Sequence, residues 1–416
     1  MSLRGKNGAA TRVLFYVQHL LGIGHLRRAA AIARALRQAG AELYFVSGGA
    51  PVEGLDLAGA ELVQLPPAVS ADSSFSAILD ESGQPIDEVW KNRRRMQLLE
   101  VFARTRPDIV LIEMYPFGRR PFRFELLPLL QAAADRPSAQ GGRPLIACSL
   151  RDILVDKGRP DRVAETLDLV QRYVDLVLVH GDPKLVTLDR TFPGTAAIAG
   201  RLRYTGYVVE RPQDLAAGIA ASGDRRNGDI LVSAGGGAVG APLFAAALAA
   251  RPLSRYHGRR WRLITGRNLP DRAARDLAAQ AAGQAQAAGE AQAGGIVIET
   301  FRQDFTQLLQ SCLLSVSQGG YNTVMELIAA ETPSVIVPFA DGAESEQSLR
   351  ARLLAERGIL TLLESDDLTP EALAAAIDRT GEQAADRDPR FAHLALDLDG
   401  ARHSAAILLQ RSDGAA

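Results

Sequence analysis

The chain has 416 residues, of which 47% are hydrophobic and 23% charged, with a formal net charge of −1. That balance is expected of a globular chain and excludes a global basic field for gathering nucleic acid. No apolar run approaches the ~18–20 residues needed to span a bilayer, so any membrane contact is expected to be peripheral, at the inner membrane face of a cytoplasmic protein.

The length suggests two or three domains. The first ten residues are polar and lead straight into a strand, so no signal peptide is expected. Arg12–Val17 is a short apolar run of the kind that forms a buried parallel strand. The loop Gly22-Ile23-Gly24-His25 follows, then a helical pattern over Leu26–Gln38 stopped by Gly40. Glu42–Ser47 reads as a second strand ending in Gly48-Gly49. Residues Ser70–Trp90 read as an irregular insertion. Strands are predicted at Asp108–Ile112, Leu145–Ser149 and Leu176–His180, with helices at Met96–Thr105, Phe124–Ala134 and Arg162–Tyr173 between them. This alternation predicts βαβ units and a parallel sheet. A junction is placed at Arg201–Pro212, where the same grammar restarts. Asp229–Ser233 is a strand, followed by Gly235-Gly236-Gly237 and a helix over Leu243–Ala250. Later strands are predicted at Trp261–Thr265, Gly295–Ile298, Leu313–Ser317 and Ser334–Pro338, with an Ala- and Gln-rich surface helix and loop at Ala274–Ala293. The reading is α/β: two doubly wound domains facing a central cleft, at residues 1–205 and 206–395, with 396–416 as a helix returning to the first. Ligands of such sheets bind beyond the carboxyl ends of the strands.

Chemistry is therefore sought at the strand ends. Gly22 and Gly24 let backbone approach a ligand at a helix N-terminus. Arg27 and Arg28 stand where a dinucleotide fingerprint needs its third glycine, and Ser47-Gly48-Gly49 replaces its acidic residue, so an NAD site is rejected. His25 in this turn is either a base for a hydroxyl or water proton or a packing and capping histidine. Gly235-Gly236-Gly237 between strand and helix makes a phosphate cradle or a tight turn, and lacks the Gly-Lys-Ser/Thr of a Walker loop. In Ser317-Gln318-Gly319-Gly320-Tyr321-Asn322-Thr323-Val324-Met325-Glu326 the glycines open a turn, Asn322 or Thr323 can cap the helix, and Glu326 can accept from a ribose diol or sit as a dipole charge. Pro338-Phe339 and Glu344-Ser345-Glu346-Gln347 open the next helix. The triplets Asp386-Arg387-Asp388 and Asp397-Leu398-Asp399 follow no strand and read as solvated charges, and no zinc spacing occurs. No metal or cofactor is expected. Cys148 and Cys312 read as buried small hydrophobes. Arg93-Arg94-Arg95 and Arg119-Arg120 with Arg123 read as solvated faces, or as a rim for an anionic acceptor or a membrane surface.

Taken together, the Gly22–His25 loop, the Gly235–Gly237 loop and the Ser317–Glu326 segment, extended through Pro338-Phe339 and Glu346-Gln347, resemble the GT-B enzymes related to the lipid II-forming N-acetylglucosaminyltransferases of glycosyltransferase family 28. The resemblance implies two Rossmann-like domains, an N-terminal one for the acceptor and a C-terminal one for a nucleotide-sugar donor, with UDP as the expected nucleotide. It implies an inverting, metal-independent transfer, as in cell-envelope or extracellular polysaccharide synthesis. Glu326 resembles the family's ribose-binding glutamate, and Glu346 with Gln347 the pair that reads the donor sugar. The family carries two glutamines there, so the sugar is left open. Phe301-Arg302, ahead of Asp304, resembles the loop whose backbone contacts the base. The Gly-His core with Arg27-Arg28 also resembles nucleotide-sugar hydrolases in which the histidine activates water, which is the alternative reading.

The mechanism expected from these readings puts the donor diphosphate on Gly235–Gly237 and the Gly319-Gly320 turn, with Arg267 adding charge. His25 takes the acceptor proton, and Glu113, after strand Asp108–Ile112, is the second candidate base or an acceptor ligand. Arg151 and Asp152, at another strand end, are candidate acceptor ligands, as are Gly22 and Gly24. The acceptor is unnamed, with lipid-linked or anionic compounds as the expected class. A sugar epimerase and a nucleotide-binding module without turnover are the competing classes.

Overall fold

The computed structural model describes residues 10–20, 22–71, 77–137, 142–154, 159–209, 228–236, 239–288, 295–302, 304–339, 346–385 and 396–414. The chain forms two compact units, residues 1–208 with 396–416, and residues 209–395.

The first unit is built on strands β1 (Arg12–Val17), β2 (Glu42–Ser47), β3 (Glu61–Gln64), β6 (Ile109–Glu113), β7 (Leu145–Arg151), β8 (Leu176–His180) and β9 (Leu202–Tyr204). β4 (Val69–Ser70) and β5 (Ile78–Leu79) form a separate antiparallel pair. The main sheet is parallel, in the order β3-β2-β1-β6-β7-β8-β9. Its strands are apolar without alternation because both faces are covered. Along β1, Val13, Phe15 and Val17 pack with α1 (Gly24–Gln38), while Leu14 and Tyr16 pack with α2 (Glu88–Thr105) and α3 (Arg123–Ala134). A fourth helix, α4 (Pro160–Tyr173), adds Leu169 and Val170 to this second face.

The terminal helix, Gly400–Gly414, packs on α1 through Ala405, Leu408 and Leu409. The outgoing and returning segments run side by side: Tyr207 N–H donates to the Asp397 carbonyl at 2.6 Å and Gly400 N–H to the Tyr207 carbonyl at 3.0 Å. A Cβ on Gly400 would lie 2.4 Å from the Gly206 carbonyl oxygen, so the close approach requires glycine. Asp397 is a turn residue here, accepting from Asp399 N–H at 2.9 Å. The triplet Asp386–Asp388 lies outside the described residues, as do Arg211-Pro212 of the expected junction.

Two parts of the first unit differ from the sequence expectation. The expected irregular insertion ends early, because Asp87 accepts from Trp90 N–H at 2.7 Å and starts α2 at Glu88. Arg94 is not on a solvated face. It is fully buried, with Nε 2.8 Å from Glu125 and Nη1 donating to the carbonyls of Gly48 and Pro66. The sequence triplet of arginines conceals this because only one position in each helical turn faces the core.

The second unit repeats the plan. β10 (Ile230–Ser233), β11 (Trp261–Ile264), β12 (Ile296–Glu299), β13 (Leu314–Ser317), β14 (Ser334–Ile336) and β15 (Thr361–Leu362) form a parallel sheet in the order β12-β11-β10-β13-β14-β15. The helices are α5 (Ala241–Ala250), α6 (Asp271–Ala288), α7 (Phe305–Ser311), α8 (Tyr321–Ala329), α9 (Glu346–Ala355) and α10 (Pro370–Ala385). Phe244, Trp261, Val316 and Ile377 share its core. Numbered within each unit, both sheets begin 3-2-1-4-5-6, and each reverses beside its first strand. That reversal is the switch point at which doubly wound sheets bind ligands.

Candidate active site

In the first unit the switch point lies between β1 and β6. The chain leaves β1 and enters α1 at Gly24 with Ile23 as N-cap and no side-chain cap. His25 is therefore not a capping residue. Its Nδ1 lies 2.9 Å from Glu113 Oε1, at the end of β6. Arg28, one turn along α1, reaches the same Oε1, and its Nη2 is 3.0 Å from His25 Nδ1. Ser149, paired with Glu113 across β6 and β7, donates to Oε2. Behind Ser149, His180 Nε2 lies 2.8 Å from the serine Oγ and His180 Nδ1 2.9 Å from Thr205 Oγ1.

Burial opposes the charge on Glu113, but the Arg28 guanidinium and the bonds from His25 and Ser149 outweigh it and hold the carboxyl well below its usual range. Burial, then the charge of Arg119, lowers His25 to about 3. His25 is thus neutral near neutral pH. An ionised Glu113 only accepts, so its contact with His25 calls for the proton on Nδ1, with the neighbouring Arg28 Nη2 donating to Glu113 rather than to the ring, and leaves Nε2 bare. The His25 side chain is 23% exposed while that of Glu113 is 0%. Glu113, the second candidate base or acceptor ligand, lies wholly inside the unit. Its oxygens are occupied and enclosed, and its place is behind His25. Asp152 is buried, and a Cβ on Gly181 would lie 2.6 Å from its Cβ. Arg151 ends β7, two residues beyond Ser149. Gly22 and Gly24 flank Ile23 at the entry to α1, where a Cβ on Gly22 meets nothing within 4 Å. Arg120 and Arg123 both pair with Glu165 of α4, which removes them from a free basic rim.

In the second unit the expected donor residues gather at the carboxyl ends of β10 to β14. Gly235 follows β10 with φ +55, and Gly266 follows β11 with φ +79. A Cβ on Gly266 would lie 2.5 Å from the Gly236 carbonyl carbon and 2.7 Å from the Gly235 oxygen. Asn268 N–H donates to the Gly236 carbonyl at 3.1 Å. The two loops are stacked so closely that only glycine fits. Gly237 lies outside the described residues. Arg267 sits 4.9 Å from the centroid of Phe301, which is 43% exposed. Arg302 is held by Glu299 and Asp304, which fixes the loop after β12.

After β13, Gly320 is the N-cap of α8 and makes no side-chain cap bond. Asn322 and Thr323 therefore lie inside the first turn rather than capping it, and Glu326 lies in the next turn, half-buried. The N–H groups of this first turn have no intrahelical partner and suit an anion. A Cβ on Gly319 would lie 3.2 Å from Gln347 Cβ, and Gln347 Oε1 accepts from Phe339 N–H at 3.1 Å. Gly319, Phe339 and Gln347 thus meet. Glu346 points elsewhere, to the buried Arg350 at 2.8 Å. Among the described residues no cluster of three or more His, Cys, Asp or Glu could hold a metal, and no helix is long and apolar enough to cross a membrane.

Sequence reasoning missed Arg28, Ser149, His180, Gly266 and Asn268. Arg28 had a legible signal, three residues after His25 and so on the same face of α1. Polar Ser149 and His180 inside apolar strands were the other signal.

Known proteins match this architecture. Residues 236–393 match the glycosyltransferase family 28 C-terminal domain. The second unit carries that domain. Over 79 residues the chain is 32% identical to the UDP-N-acetylglucosamine--N-acetylmuramyl-(pentapeptide) pyrophosphoryl-undecaprenol N-acetylglucosamine transferase of Prochlorococcus marinus (strain MIT 9215), covering 19% of this chain and 22% of that enzyme. Over 98 residues it is 35% identical to the enzyme of the same name from Anaeromyxobacter sp. (strain K), covering 24% and 25%. These matches span about a quarter or less of the relatives' own length. Among solved structures, MurG of Acinetobacter baumannii aligns over 96% of this chain and 99% of its own, with TM-score 0.58 and 16% identity. The Streptomyces sp. SF2575 glycosyltransferase SsfS6, complexed with thymidine diphosphate, aligns over 96% and 99% with TM-score 0.56 and 16% identity. The fold is the GT-B fold of these glycosyltransferases.

Proposed function

We propose that the chain is an inverting glycosyltransferase that moves a sugar from a nucleotide-sugar, UDP-linked by analogy with the N-acetylglucosamine transferases it resembles, to an acceptor hydroxyl. The observation that carries this reading is the His25–Glu113 pair, a neutral imidazole oriented by a buried carboxylate at the switch point of the first unit. The first unit takes the acceptor and the second the donor, in which the family 28 domain lies. Gly235, Gly236 and the start of α8 offer backbone N–H groups to the diphosphate, with Arg267 beside Phe301 adding charge. Glu326 serves the ribose, and Gln347 the sugar.

His25 Nε2 accepts the hydroxyl proton as the acceptor oxygen bonds to the anomeric carbon. The bond from that carbon to the diphosphate oxygen breaks with its electron pair leaving on the nucleoside diphosphate. The growing charge is met by fixed dipoles, which need no metal and no reorganisation. Glu113 stabilises the imidazolium that forms. One displacement inverts the configuration. The setting proposed is envelope or extracellular polysaccharide synthesis, by a cytoplasmic protein at most peripheral to the membrane. Water as the acceptor draws no support from the relatives above, which are named as transferases. The test is His25→Ala, which is expected to abolish transfer while leaving nucleotide-sugar affinity nearly intact. A variant with normal turnover would remove His25 from the reaction.

A further inference from the structure

Past Glu113 the chain takes a course that side chains rarely tolerate. Met114 and Arg119 have φ of +67 and +60, the left-handed region, and non-glycine residues held there mark places where surrounding structure imposes the conformation. Arg119 ends this segment. Its Nε is buried without a hydrogen-bond partner, and among the described residues its guanidinium makes no ion pair. Its sequence neighbours Arg120 and Arg123 share Glu165 instead. Burial, more than any other influence, pulls Arg119 down to about 10, with Glu113 opposing and Arg151 and Arg28 adding repulsion. Arg119 is half-buried, with its Nε enclosed and unbonded, and an enclosed polar atom of this kind normally finds a partner in native proteins.

The charge also bears on His25. Three charged groups face that imidazole: Glu113 favours its protonated form, and Arg119 and Arg28 disfavour it. Arg28 is already paired with Glu113. Arg119 is the one of the two cations whose charge an incoming ligand can cancel. A base as weak as His25 also lies far from the strength that suits proton transfer near neutral pH.

We propose that Arg119 is an anion-binding residue of the acceptor site: it takes an oxyanion carried by the acceptor, and the bound oxyanion strengthens His25 as a base. The inference rests on the reading of His25 as the base and extends it to the substrate class, a hydroxyl compound bearing a phosphate or carboxylate group near the reacting oxygen. It also makes the acceptor switch on its own base, so that an empty acceptor site holds a weak one and spares the donor from water.

The experiment uses the full chain, labelled with 15N-histidine, with inorganic phosphate and acetate as separate probes and no nucleotide-sugar present. Wild type should gain thermal stability with one of the two anions, and its His25 ring resonances should move toward the imidazolium pattern at mildly acid pH. Phosphate alone acting identifies a phosphate-bearing acceptor, and acetate alone a carboxylate. Arg119→Met should weaken that anion's binding by about tenfold or more, the loss of one charge-assisted contact, and abolish the His25 response. Arg119→Lys should retain part of the response. If neither anion moves His25, or if Arg119→Met answers phosphate like wild type, the proposal is overturned. Such a result leaves the transferase reading untouched, because that reading stands or falls on His25→Ala with a nucleotide-sugar.

Discussion

Replacing Glu113 by glutamine removes one charge and almost no volume from the centre of the first unit. The Arg28 and Glu113 side chains are 2% and 0% exposed and in direct contact. The variant takes the Glu113 charge away from the buried Arg28, a change worth ~3–5 kcal/mol. The remaining amide still accepts from His25 Nδ1, so the ring keeps much of its orientation but loses the charge that stabilises its protonated form. General-base assistance is worth ~10²–10⁴ in rate, and the account expects Glu113→Gln to lose most of it. Two measurements are needed: the urea midpoint of unfolding, read at unchanged slope, and the transfer rate with a saturating donor near neutral pH. A variant that transfers at nearly the wild-type rate would refute the role given to Glu113. One that unfolds at the wild-type midpoint would refute the buried ion pair.

Three further outcomes follow from the same geometry. Burial lowers His180 to about 3 from an ordinary value of 6.5, so its stabilising effect is complete above pH 6.5 and is lost as pH falls toward 3. His180→Asn should flatten the stability profile between those limits by about 1.4 kcal/mol per pH unit, read from urea unfolding in a pH series. Gly266→Ala places a Cβ against the Gly235-Gly236 loop at a positive φ. It should cost ~1–3 kcal/mol and weaken nucleotide binding by titration calorimetry. Arg94→Met strands the buried Glu125 and should cost ~3–5 kcal/mol, much of it recovered in the double variant with Glu125→Leu, as read from denaturation midpoints.

The strands of both sheets were legible because they are buried on both faces and appear as unbroken apolar runs, as in Ile109–Glu113 and Ile230–Ser233. Short edge strands such as Glu61–Gln64 and Thr361–Leu362 were not, since half-exposed runs of two to four residues carry no period. His25 was legible from its place between a strand and a helix. Its partner was visible only as one more strand-end carboxylate, because the pairing is set by which strands are neighbours. β1 lies beside β6, 92 residues apart between Val17 and Ile109 in the numbering. Arg94 misled for a related reason: three adjacent arginines look alike in sequence, and only the helix phase sends the middle one onto Glu125. In the second unit Gly235 and Gly319 stood out as glycines at strand ends. Gly266 did not, because its need for glycine comes from a loop thirty residues earlier.

The most direct test of the central claim is to incubate the full chain with UDP-, GDP- and dTDP-sugars in EDTA without acceptor, following donor binding and nucleotide release by NMR. The account predicts tight binding of one donor with little release, and His25→Ala binding that donor equally well. Failure to bind any nucleotide-sugar, or rapid release of nucleotide to water, would contradict it.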